Sequence, residues 1–217
     1  MENNFLTTNF DKFENITTTK TSYPYIVEDK EKSSTTIGIY HVSTPSGSFL
    51  MLKVIHVKTY SWFHLNHGKM IFNINNVENI ILEPKQLGAE CLYGYKSIIA
   101  SHMQHIDACD DGEQRRYYIE EDSYTITQKE LKKICDATSV DVQISGKGQR
   151  IEVNANNFIA YCRLFYNAFY DKEAYVDTVE KENKRVAKAK SKKKSIGCMW
   201  PMVIAFICAL IYYFIFG

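Results

Sequence analysis

From Ile196 to Gly217 the chain contains no Asp, Glu, Lys, Arg or His, and residues 181–194, just before this run, carry eight cations. A helix rises about 1.5 Å per residue, so these residues would extend about 33 Å, against a hydrocarbon core about 30 Å thick. A helix of a water-soluble domain is seldom apolar on every face over such a length. Trp200 lies near one end and Tyr212 and Tyr213 towards the other, as in an interfacial aromatic belt. Pro201 falls in the first turns, where a missing N–H costs least. The expectation is a transmembrane helix over 196–217, with 176–195 as a basic, helical juxtamembrane linker. Lys181, Lys184, Arg185, Lys188, Lys190, Lys192, Lys193 and Lys194 all precede the span. Basic flanks stay on the cytoplasmic side, so the N-terminal bulk is expected in the cytosol, as in a tail-anchored, single-pass membrane protein. The bilayer is then the first expected partner. Lys190, Lys192, Lys193, Lys194, Trp200, Tyr212 and Tyr213 would meet its interface. Attraction of the lysine run to anionic lipid adds about 1 kcal/mol per cation, although flanking charge alone would account for the topology.

The overall charge of +1 hides an asymmetry: residues 1–180 sum to −6 and residues 181–194 to +7. A mildly acidic body argues against nucleic acid as a partner, which calls for a basic face. The first twenty residues, MENNFLTTNFDKFENITTTK, lack the apolar stretch of a secretory signal. The six cysteines are irregularly spaced without a CxxC, and in the cytosol they stay reduced.

Residues 1–34 are polar and rich in Thr and Asn, which suggests a flexible arm. The texture changes at Thr35, where a single cytosolic domain over 35–175 is expected. TTIGIYHV and SFLMLKVIHVK are dense in strand formers, with TPSGS as the turn between them. SWFHL and MIFNI flank NHGK, and a hairpin turning at Gly68 is expected there. VENIILE reads as a strand stopped by Pro84. A short helix is expected around Lys96–Ile106, and QRRYYIEEDSYTI reads as strand and loop. Thr127-Gln128-Lys129-Glu130 is a capping box, and Leu131, Ile134 and Cys135 follow on one face. In SVDVQIS, Val140, Val142 and Ile144 face one way and Asp141 and Gln143 the other. GKG is a turn and QRIEVN the returning strand. Asn154 or Asn156 is expected to cap a last helix whose Phe158, Tyr161, Cys162, Phe165 and Phe169 form an apolar stripe. The fold class is α+β, a mainly antiparallel β-sheet covered by helices, plus the one transmembrane helix.

The run YTITQKELKKICDATSVDVQISGKGQRIEVNANNFIAYCRLFY resembles a small domain of uncharacterised bacterial proteins. In that family a capped helix ends in alanine, a V-x-V-x-I-S-G strand turns at glycine, and a helix of type FxxYxRLFY closes the unit. Ala137, Val140, Val142, Ser145, Gly146, Phe158, Arg163 and Phe165 match, and SWFHLNHGKMIFNINN is similar to the family's aromatic strand and hairpin. The resemblance covers roughly residues 60–170. It implies a fold, carries no reaction, ligand or catalytic residue onto this chain, and favours a bacterial inner membrane.

For chemistry, the best constellation is SHMQHIDACDDGE. His102, His105 and Cys109, spaced i, i+3, i+7, would share a helical face and could ligate zinc, although no second Cys/His pair stands at finger-like spacing. The plainer reading is a polar surface loop. Glu120, Glu121 and Asp122 could be paired acids but read more simply as a solvated rim. No GxSxG is present, and Gly146-x-Gly148 is better explained as a turn than as a phosphate loop. No cofactor is expected. The function expected from these residues is a non-catalytic binding or adaptor domain for a protein partner, held at a membrane. The alternative is a membrane-tethered, metal-dependent enzyme using His102, His105 and Cys109.

Overall fold

The computed structural model describes residues 5–30, 32–59, 61–84, 102–110 and 113–177. The chain divides into two compact units, Met1–Tyr170 and Asp171–Gly217. In the second, residues 172–177 are helical. Asp171 starts that helix: its side chain accepts from the Ala174 N–H at 3.0 Å and its carbonyl from the Tyr175 N–H at 3.0 Å. No helix among the described residues is long and apolar enough to cross a membrane. The expected span over 196–217 and most of the linker lie outside the described residues.

The first unit is mainly antiparallel β-structure with a few helices. Its larger sheet contains β1 (Leu6–Asp11), β2 (Ile16–Thr21), β3 (Tyr25–Lys30), β4 (Ser33–Thr44), β5 (Gly47–Thr59), β8 (His102–Asp110) and β9 (Glu113–Ile126). The order is β1-β2-β4-β5-β9-β8, with β3 also on β4. β2 and β3 share one edge of β4: β2 pairs with residues 40–43 and β3 with residues 33–37. The smaller sheet, in the order β11-β10-β6-β7, is built from β6 (Met70–Ile74), β7 (Glu78–Leu82), β10 (Val140–Ser145) and β11 (Arg150–Asn154). A bridge between Pro84 and Tyr124 links the end of β7 to β9.

Several expectations need correction. Residues 1–34 are not a loose arm along their length, since Leu6–Lys30 supplies three strands. Thr, which dominates there, is β-branched and suits a strand. Phe5 anchors the start: it is 3% exposed and packs edge-on against Tyr23 and Tyr161, with ring centroids 5.3 and 5.5 Å away. Residues 102–106, assigned to a helix, are strand, because nine residues of β8 pair in register with β9. The helix's first residues, 96–101, lie outside the described residues. SWFHL does not pair with MIFNI. β6 lies between β7 and β10, and residues 65–67 make one 3₁₀ turn. His64, not Gly68, takes the left-handed conformation (φ 64°).

The helices follow the sequence closely. In α1 (Gln128–Asp136) the Thr127 hydroxyl accepts from the Glu130 N–H while the Glu130 carboxylate accepts from the Thr127 N–H, so two orphan donors are satisfied. Leu131, Ile134 and Cys135 are buried. At its far end Arg163 donates to the carbonyls of Cys135 and Ala137, the latter at 3.2 Å. In α2 (Asn156–Tyr170) neither expected asparagine caps. Asn156 Oδ1 accepts from the Val140 N–H at 2.9 Å, and Asn154 donates to Asp141. Ala155 takes the cap position, its carbonyl accepting from the Phe158 N–H at 2.8 Å. The α2 stripe then serves both sheets. Phe158 stacks on Phe72 of β6 (5.7 Å) and tilts against Tyr25 of β3 (5.0 Å). The Tyr161 hydroxyl donates to Thr21 Oγ1 at 2.6 Å. Burial of each such side chain stabilises by about 1.5–3 kcal/mol.

Candidate functional site

Two polar rows cross the sheets at right angles to their strands. The first lies on the larger sheet and is set by register: Thr35 of β4 faces His56 of β5, which faces Glu120 of β9. Asp122 sits two residues on, on the same face as Glu120. All four are 3% exposed or less. The solvated rim expected for 120–122 therefore does not form. Glu120 and Asp122 point inward, and only Glu121 faces the other way, where it pairs with Lys53 at 2.6 Å.

The partners of this row are mostly backbone. The Glu120 carboxylate accepts from three successive N–H groups: Phe63, His64 at 3.0 Å and Leu65 at 2.9 Å. It thus holds the loop that joins the two sheets. From the other side Gly146 presses on the same loop. A Cβ on Gly146 would lie 2.0 Å from the Phe63 carbonyl oxygen, and one on Gly68 would lie 1.6 Å from that of Ser145. The sequence signal behind both glycines is close approach of backbones, not turn geometry. Lys58 and Gln149 complete the clamp, with Gln149 donating to the Trp62 carbonyl at 3.1 Å.

Burial shapes the ionisation of this row. His56 shares a hydrogen bond with Thr35 through Nδ1 (2.8 Å), and its Nε2 has no hydrogen-bond partner among the described residues. Desolvation lowers its pKa to about 4, against the opposing pull of Glu120. Desolvation, with the charge of Glu120, raises Asp122 to about 6, and its Oδ2 also lacks a partner among the described residues. At neutral pH the histidine is uncharged. The row holds the loop between the sheets.

The second row crosses the smaller sheet. Asn154, Asp141, Asn73 and Asn79 stand opposite one another on β11, β10, β6 and β7. One step along the strands, Glu152, Gln143, Ile71 and Ile81 form a parallel row. Strand spacing sets neighbours in each row about 4.8 Å apart. These residues, with Val142 and Val153 and without Ile81, line an open groove of about 460 Å³. Asn154 Nδ2 donates to Asp141 Oδ1 at 2.8 Å, Asn73 Nδ2 to Asn79 Oδ1 at 2.8 Å, and Gln143 Nε2 to Ser145 Oγ at 3.1 Å. Asn73 Oδ1 is out of contact with solvent and has no partner among the described residues. A groove of this size and polarity can take a small ligand or a side chain of a partner.

Sequence reasoning placed Asp141 and Gln143 on the outer face of β10 and missed their neighbours, because alternation within one strand says nothing about which strand pairs with it. The candidate metal ligands, residues 102, 105 and 109, all lie on β8. In a strand, positions 102 and 105 fall on opposite faces, so the common helical face that united the three is not formed. Among the described residues no group of three or more His, Cys, Asp or Glu is arranged to hold a metal. The two described free cysteines, Cys135 and Cys162, are buried, and burial raises Cys135 to about 12. Lys190, Lys192, Lys193, Lys194, Trp200, Tyr212 and Tyr213 lie outside the described residues. No family model matches the chain, and neither a curated protein nor a solved structure is similar to it.

Proposed function

We propose that this chain is a membrane-tethered binding module whose folded unit recognises its ligand or partner through the groove on the smaller sheet. The groove carries the reading: two registered rows bring four carboxamides and two carboxylates to one open face. The tether is segment 196–217, uncharged throughout and long enough to span, with the cations of 181–194 against anionic lipid. Holding the unit at a bilayer raises its effective concentration towards partners there. Cytosolic placement follows from the basic flank, and a bacterial inner membrane is the favoured setting from the resemblance of residues 60–170.

The test combines fractionation with proximity labelling. Full-length protein is expected in the membrane pellet and a form lacking 196–217 in the soluble fraction. Identical fractionation of the two forms sinks the tether. Labelling by the full-length protein should yield a discrete set of neighbours that shrinks when Asp141→Arg blocks the groove. An unchanged set places recognition elsewhere.

A further inference from the structure

The chemistry of the groove narrows its ligand, on the reading that the groove is the binding site. Three of its four carboxamides, Asn73, Asn154 and Gln143, already point an N–H at a neighbour, as the 2.8, 2.8 and 3.1 Å bonds show. Each of these amides keeps a second N–H, so the carboxamides can donate as well as accept, and charge decides between ligands. Asn73 Oδ1 is out of contact with solvent, so the acceptors a ligand meets are the carboxylates. Asp141 spends one oxygen on Asn154. Glu152 meets Arg150 at 3.2 Å, but both side chains are more than half exposed, and such pairs contribute little. Among the described residues no Lys, Arg or His lines the groove, whereas Asp141 and Glu152 do. A ligand anion would meet two carboxylates. Ile71, opposite Gln143 and two residues from Asn73 on β6, offers apolar surface to a methylene stem.

From this geometry we infer that the groove takes an organic cation with several N–H donors, an ammonium or guanidinium on an aliphatic stem. Asp141 supplies the counter-charge, Glu152 a further acceptor, and Ile71 the wall along the stem. The same chemistry is offered by a free polyamine and by an arginine or lysine side chain of a peptide.

Isothermal titration of the full-length protein in a non-ionic detergent tests this. The probes are spermidine, an acetylated and amidated Gly-Arg-Gly-Arg-Gly peptide, and sorbitol as an uncharged polyol. Saturable one-to-one binding is expected for at least one cation. Asp141→Asn, on an exposed position, should weaken it roughly tenfold to a hundredfold, the range for a hydrogen bond to a charged group. Glu152→Gln should weaken it less, and Glu14→Gln, on the β1–β2 turn of the larger sheet, should leave it unchanged. Tighter binding of spermidine identifies a free amine as the source, and tighter binding of the peptide identifies a side chain. Cation binding that is indifferent to both groove substitutions overturns the inference, as does failure of both cations. Sorbitol binding that survives Asp141→Asn overturns the cation while leaving the groove as a binding site. Unchanged proximity-labelling neighbours in Asp141→Arg, together with failure of both cations, remove the groove itself.

Discussion

The two polar rows are built alike and put to opposite ends. Each crosses its sheet in register, and each combines carboxylates with neutral hydrogen-bonding side chains. On the larger sheet the row is buried, and its strongest acceptor, Glu120, is taken up by three backbone N–H groups of one loop. On the smaller sheet the row faces a groove, and its bonds run between exposed side chains that water can replace. The difference teaches where to look for function. Polar groups satisfied by backbone are structural, and removing them should unfold the protein. Polar groups satisfied only by one another are available to a ligand, and removing them should cost affinity and little stability.

The largest effect that could break this contrast is at Glu120. Glu120→Ala leaves three N–H groups of the joining loop without an acceptor, and a loss of about 4 kcal/mol is expected. A fall in the urea midpoint at constant m-value measures it. A stability close to wild type would mean that the loop is not held as described. Next, Gly146→Ala forces a Cβ against the Phe63 carbonyl and should cost roughly 3 kcal/mol, read by the same denaturation. Tolerance there would show that the clamp can open.

The pH dependence sharpens the buried half of the comparison. His56 is lowered from 6.5 to about 4, so its contribution is complete above pH 6.5 and is lost as pH falls towards 4. Asp122 is raised from 3.8 to about 6, so its contribution is complete below pH 3.8 and is lost as pH rises through 6. Between pH 4 and 6 the two oppose each other, each by about 3 kcal/mol. Relative to wild type, Asp122→Asn should lose stability more steeply on acidification over this window, and His56→Gln should gain. Parallel pH profiles for all three proteins would remove the coupling. The smallest effect belongs to the groove: Asn154→Ala should change stability by no more than about 0.5 kcal/mol. A larger loss would make that row structural too.

Much of the fold was legible where the signal was local. The capping box needs only Thr127 and Glu130, the β10 face needs only the alternation of Val140, Val142 and Ile144, and the α2 stripe needs only helical spacing. What the sequence hid was non-local. β1 is exposed along most of its length, so no apolar alternation marks it, and it exists because β2 pairs with it. Residues 102–106 carry no strong strand pattern and follow β9. Glu120 and Asp122 looked like solvent-facing acids because the loop that makes burial tolerable lies more than fifty residues away. The groove was half visible: Asp141 and Gln143 were placed outward, but the asparagines opposite them are known only from register.

The tie from Tyr161 to Thr21 and to the Tyr23 carbonyl spans about 140 residues. On the ribosome the opening strands emerge first and the helix that covers Phe5 emerges much later, at about 5–20 residues per second. For roughly 10 seconds or more the face that will receive Tyr161 has no cover. The early strands must therefore wait in an unfinished state, with Phe5 and Ile37 open to chaperones or to neighbouring nascent chains. The timetable of synthesis thus makes the amino-terminal strands the segment whose mutations should lower yield before they lower the stability of molecules that have folded.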